Sequence, residues 1–124
     1  LRVFSFAQES TRYCNYSKNK FNDELTFIEP CWNWGNITRD GFSVFKTAMN
    51  EAENTYLYLI DNGWKPQQAR AVLPNALKTE LVMTGFISDW RNFFKLRCDS
   101  SAHPQARELA IPLREEFIKR GYVD

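Results

Sequence analysis

Three arginines and one serine carry the chemistry that this sequence offers. Read at period two, Gln8, Ser10 and Arg12 fall on one side of an extended segment, so an amide, a hydroxyl and a guanidinium point the same way. Such a row of hydrogen-bonding groups ends in a fixed positive fork and suits a small anionic ligand with polar edges. An edge strand with a solvated polar face is the alternative. Arg70 lies inside the apolar run 69–73, where a guanidinium must reach solvent, a carboxylate or a phosphate. Arg97 follows Phe93 and Phe94 by four and three residues and shares their face of a helical pattern, which predicts an inward-facing arginine. Taken singly, either arginine can be a packed stem with its head at the rim, or half of a structural pair with a glutamate. Together, Arg12, Arg70 and Arg97 match a phosphate monoester, whose charges and acceptor oxygens planar forks satisfy better than lysines do.

Other chemistries are poorly supplied. His103 is the single histidine, which argues against a histidine-rich metal site or a serine triad, and no metal ligands are assigned. No histidine lies within sequence reach of Ser10, so its hydroxyl reads as a binding group rather than a nucleophile. Cys31 follows Pro30 and precedes Trp32, with no base nearby, and reads as a small buried thiol. His103 itself, at a helix start, reads as structural. No catalytic residue is assigned.

The elements that must position these groups follow from periodicity. Residues 1–4 read as the end of a helix, and the chain from Ser5 to Tyr16 as extended or looped. Residues 17–40 mix polar and aromatic types, with Asn19, Asn22, Pro30, Gly35 and Asn36 interrupting any period, and predict a loop-rich insertion that can serve as a lid or interface. Within it, Phe27 and Ile28 predict a short strand. Residues 42–62 form the clearest helix, with Phe45, Ala48, Met49, Ala52, Tyr56, Leu59 and Ile60 in one apolar stripe and Gly63 as its stop. Pro66 opens a short helix over 66–73 that Pro74 ends. Residues 77–84 alternate as a strand, with Leu77, Thr79, Leu81 and Met83 on one face. A third helix runs from Ser88 or Asp89 to about Cys98. A fourth starts at Pro104, with a kink or restart expected at Pro112, and stops at Gly121.

The totals bound the class. A chain of 124 residues is one domain at most, and its apolar share of 44% suits a globular core. The aromatic share of 15% calls for large burial or an interface. Sixteen Lys and Arg against fifteen Asp and Glu leave no bulk field that would recommend nucleic acid or an anionic membrane. Three cysteines, an odd count with no C-x-x-C spacing, favour reduced thiols and a cytoplasmic setting. No apolar run is long enough to span a bilayer.

One string is more specific than any of these patterns. Arg2, seven intervening residues and Ser10, continued by Arg12-Tyr13, resembles the signature of the flavin-dependent thymidylate synthases, Arg-His-Arg, seven residues, Ser, running on into Ser-x-Arg-Tyr. Leu1 stands where the signature has histidine, and its first arginine has no counterpart. Ala69-Arg70-x-x-Leu73-Pro74 and Phe93-Phe94-x-Leu96-Arg97 resemble the family's later nucleotide-binding stretches, and the segment 102–107 resembles the helix start that follows them. The chain departs from the family at Phe86-Ile87-Ser88, where an Asn-x-Arg that contacts flavin is frequent.

The resemblance implies an α+β, helix-rich fold with three to four helices and one or two strands that complete a sheet begun earlier in the chain. It implies that residues 1–124 are a single domain, the C-terminal portion of a longer protein. By likeness, Gln8, Glu9, Ser10, Arg12, Arg70 and Arg97 would bind dUMP, and Arg2, Val3, Ser88 and Asn92 would belong to the FAD side. The implied reaction is reductive methylation of dUMP to dTMP, with methylenetetrahydrofolate as carbon donor and NADPH regenerating reduced FAD, in a homotetramer. Two other readings stand beside it: a nucleotide-binding module without flavin, and a structural oligomerisation domain whose arginines only pair with Glu9, Glu80 or Glu108.

Overall fold

The computed structural model describes residues 3–10, 25–31 and 39–124, with backbone alone at 39 and 40. Leu1, Arg2 and the segments 11–24 and 32–38 lie outside the described residues. The expectations for Arg2 and Arg12, and most of the expected lid, fall there. The architecture is α+β and helix-rich, with four α-helices and a two-stranded antiparallel sheet among the described residues. These elements fall into two compact units.

The first unit comprises residues 3–7, 30–31 and 82–124 among those described. Val3 and Phe4 form a turn and a bend rather than helix, and β1 (Ser5–Gln8) begins directly after them. β1 pairs with β2 (Leu81–Thr84). Two helices, α3 (Ile87–Arg97) and α4 (Pro104–Lys119), pack on each other, with Ala110 wholly buried. Their core is aromatic. Phe4 meets Trp90 edge-on at 4.8 Å, Trp90 lies 5.2 Å from Phe117, and Phe94 meets Phe117 at 5.1 Å. Edge-to-face contacts of this kind add about 0.5–1.5 kcal/mol each beyond the area they bury. Gly85 lies against this cluster so closely that a Cβ there would stand 2.6 Å from two carbons of the Phe4 ring.

Helix ends in this unit follow local chemistry. The Asp89 carboxylate accepts from the Phe86 backbone N–H at 2.9 Å, which satisfies a donor at the start of α3. His103 Nδ1 accepts from the Gln105 N–H at 3.2 Å and caps α4, with Pro104 in the first turn. Pro112 neither restarts nor ends α4, which runs unbroken from Pro104 to Lys119. The proline is exposed, so only the bond to the carbonyl four residues back is forfeited and no core packing is disturbed.

The second unit comprises residues 8–10, 25–29 and 39–81 among those described. It is built on α1 (Arg39–Asp61), whose later stripe residues surround the fully buried Tyr56 with Leu25 and Ala69. Ala48, one of the expected stripe residues, is exposed. α1 stops as its sequence predicts: Trp64 N–H bonds the Leu59 carbonyl at 3.0 Å and Gly63 N–H the Ile60 carbonyl at 3.1 Å, with Gly63 at φ 91°. That pair of bonds needs a left-handed residue, which glycine supplies without a Cβ penalty. The expected helix over 66–73 is a single turn of α-helix, α2 (Pro66–Ala69), tightened into a 3₁₀ turn at Arg70–Val72.

The expected strand over 77–84 is two short pieces with different partners. Leu77 bridges to Phe27, flanked by Lys78 N–H to Thr26 O at 2.8 Å and Ile28 N–H to Ala76 O at 2.7 Å. Residues 81–84 instead pair with β1, and Glu9 N–H to Glu80 O at 2.9 Å extends that ladder. The short strand expected at Phe27 and Ile28 is this bridge.

Candidate functional site

The second unit contains a cavity of about 570 Å³, in the range that holds small ligands. Gln8, Glu9 and Ser10 line one wall as the chain leaves β1. Arg70 lines another from the junction of α2 and its 3₁₀ turn, beside Leu73, Pro74, Asn75, Leu77 and Thr79. Arg70 directly follows Ala69 and so stands about a third of a turn away from the face that buries Ala69 and partly buries Val72, which leaves Arg70 exposed. Glu9 and Ser10 are half-buried. Period two would set Gln8 and Ser10 apart from Glu9, yet all three line the cavity. The strand ends at Gln8, and alternation ends with it.

The lining combines one guanidinium, one carboxylate, the amides of Gln8 and Asn75 and the hydroxyls of Ser10 and Thr79. This set can bind a ligand with one anionic group and a polar heterocycle edge: the fork takes the anion, and the amides match an imide's donor and acceptors. Leu73, Pro74 and Leu77 supply apolar wall. Asn75 and Thr79 were not among the expected site residues. The alternation that put Leu77 and Thr79 on one face was a signal for Thr79, whereas nothing in the sequence marked Asn75.

The remaining expected residues are placed as follows. Arg12 and Arg2 lie outside the described residues. Arg97 is in the last turn of α3, in the first unit, and is exposed rather than turned inward among aromatics. It does share the side of the helix on which Phe93 and Phe94 sit, but a long side chain at a helix terminus carries its head out to water. Val3 is 60% exposed. Ser88 and Asn92, one turn apart on α3, are both exposed and present a hydroxyl and a carboxamide on one side of the helix. Phe86, two residues before Ser88, is 81% exposed.

Cys31 is exposed, which corrects the expectation of a buried thiol. Its pKa is raised, first by local desolvation and then by the charge and hydrogen bonding of Glu108, against a smaller opposing pull from Arg107. A thiol held in its protonated form is a poor nucleophile. Among the described residues no group of three His, Cys, Asp or Glu side chains is placed to hold a metal ion. No helix among them is long and apolar enough to cross a membrane.

Comparison with known proteins bears on the same stretches. Residues 1–120 match the family model described as thymidylate synthase complementing protein. The chain is 32% identical over 121 residues to a flavin-dependent thymidylate synthase of Pyrococcus furiosus, covering 96% of this chain and 47% of that protein. It is 32% identical over 114 residues to the enzyme of the same name from Geobacter sulfurreducens, covering 90% and 46%. A third such enzyme, from Sulfolobus acidocaldarius, is 34% identical over 119 residues, covering 96% and 42%. The chain thus spans about half the length of the curated relatives it matches.

Proposed function

Because this chain belongs to the thymidylate synthase complementing protein family, we propose that it supplies the nucleotide-binding part of a flavin-dependent thymidylate synthase. The substrate is dUMP, and the product dTMP. The observation that carries this reading is the cavity in which Ser10 and Arg70, far apart in sequence, face one space. Arg70 takes phosphate or the polarised uracil edge, Ser10 donates its hydroxyl, and Gln8 and Glu9 complete the polar wall. Arg12 and Arg97 are assigned to dUMP binding as well. Residues 1–124 act as one domain in this reading, within a cytoplasmic homotetramer.

FAD is the cofactor, held in part by Arg2, Val3, Ser88 and Asn92. When bound it supplies the hydride for reductive methylation, with methylenetetrahydrofolate as carbon donor and NADPH as reductant. The chain's own residues bind, orient and neutralise charge, which is the protein's share of such chemistry. The raised pKa of Cys31 agrees with a route that needs no cysteine nucleophile. A second reading, a nucleotide-binding module without flavin, draws support from the exposed Phe86 in place of a polar flavin contact.

Calorimetry with dUMP tests the first reading on the full-length protein. Arg70→Ala is expected to weaken binding roughly 10- to 100-fold, the range for a charge-assisted contact, and Ser10→Ala by less. Unchanged affinity in both variants would overturn it. A flavin absorbance spectrum in the purified protein supports the enzyme over the module, and dUMP binding without flavin supports the module.

A further inference from the structure

We propose that the first unit carries a second anion site, for a small phosphomonoester with a hydroxyl beside the phosphate. A cavity of about 250 Å³ there is lined by Arg91, Phe94, Lys95, Arg114, Val123 and Asp124. Arg91 and Lys95 are one turn apart on α3 and share a side of that helix, and Arg114 comes from α4. Three cationic side chains therefore face one space against a single carboxylate side chain. None of the three is in an ion pair among the described residues, and the nearby Glu116 is engaged by Arg120 at 2.8 Å.

Like charges one turn apart repel, and a third on the neighbouring helix adds to the repulsion. The helix dipole accounts for Lys95, in the last turn of α3, but not for Arg91 a turn earlier or for Arg114 in the middle of α4. An anion in the cavity relieves all three at once. Phe94 and Val123, both buried, back the cavity with apolar atoms, so water screens a bound charge less than it would on an open surface. Two guanidinium forks suit tetrahedral phosphate oxygens, and an ammonium adds a point charge. Asp124, the one acceptor-only side chain in the lining, favours a ligand that brings a donor beside its phosphate over bare phosphate. The inference does not rest on the nucleotide reading, because the two cavities share no residue.

The test is calorimetric titration of the full-length protein with glycerol 3-phosphate and, separately, inorganic phosphate. Saturable binding of glycerol 3-phosphate is expected, tighter than that of phosphate. Arg114→Ala and the pair Arg91→Ala with Lys95→Ala should each weaken it about tenfold or more, and Asp124→Ala should abolish the preference over phosphate. Arg70→Ala should leave it unchanged. The replaced side chains are all exposed, and an unaltered Tm checks that the fold persists. No saturable binding, binding that survives the Arg114 and Arg91/Lys95 variants, binding lost in Arg70→Ala, or no preference over phosphate would each overturn the proposal.

Discussion

Replacing Gly85 by Ala tests how the aromatic unit is assembled. A Cβ at this position would sit 2.6 Å from Cδ1 and Cε1 of Phe4, whereas carbon atoms rest about 3.5–4.0 Å apart. The ring would have to retreat by about 1 Å. It has little room, since Trp90 stands edge-on at 4.8 Å and Phe93 at 6.1 Å. Overpacking of this kind costs about 1–3 kcal/mol. The loss of unfolded-state freedom on going from Gly to Ala returns about 0.4–1 kcal/mol. The net expectation is a loss of about 1–2 kcal/mol, and each kcal/mol lowers Tm by roughly 4–8 °C for a domain of 60–100 residues. Thermal and urea unfolding of Gly85→Ala, Phe4→Leu and the double variant close a cycle. The double variant should be less destabilised than the sum of the singles by about 1 kcal/mol, because the smaller side chain removes the clash. A Gly85→Ala protein as stable as the parent, or a cycle that is simply additive, would refute the packing argument.

Two further outcomes follow from local contacts. Because Glu108 helps raise the Cys31 pKa and Arg107 opposes it, the thiolate forms only at higher pH than usual. Iodoacetamide should therefore modify Cys31 faster at pH 8 in Glu108→Gln and more slowly in Arg107→Ala, and mass spectrometry of the labelled peptide reads both. His103→Ala removes the acceptor that caps α4 and should lower stability by about 1 kcal/mol, while His103→Asn, a strong cap, restores most of it. Urea denaturation midpoints check that pair.

Much of this organisation is readable from residue order because it is local. The stripe from Met49 to Ile60 and the stop at Gly63 depend on helical period and on one residue that tolerates positive φ, and both stand in the structure. Pro66 at a helix start and His103 before Pro104 are likewise local signals. What the sequence hides is partner choice. Residues 77–84 alternate throughout, yet Leu77 answers Phe27 while 81–84 answer β1, and alternation says nothing about which segment lies opposite. Arg97 has the spacing of an inward residue, but its place in the final turn lets its head escape to water. Arg70 shows the reverse case: it stands in an apolar run, yet it is off the buried face and lines the cavity wall. Cys31 was misplaced because its neighbours in sequence do not cover it, and no pattern reports such exposure.

Pro112 has a consequence for how α4 opens. Proline carries no N–H, so the carbonyl of Glu108 lacks its usual donor four residues on, and one rung of the helical ladder is missing while its neighbours still span the position. The ladder is weakest there, without being interrupted. The later turns of α4 are pinned by Phe117 in the aromatic cluster, and the earlier ones by the buried Ala110. Local opening of α4 is therefore easiest at the turn between those two anchors, where amide protons should exchange with solvent first.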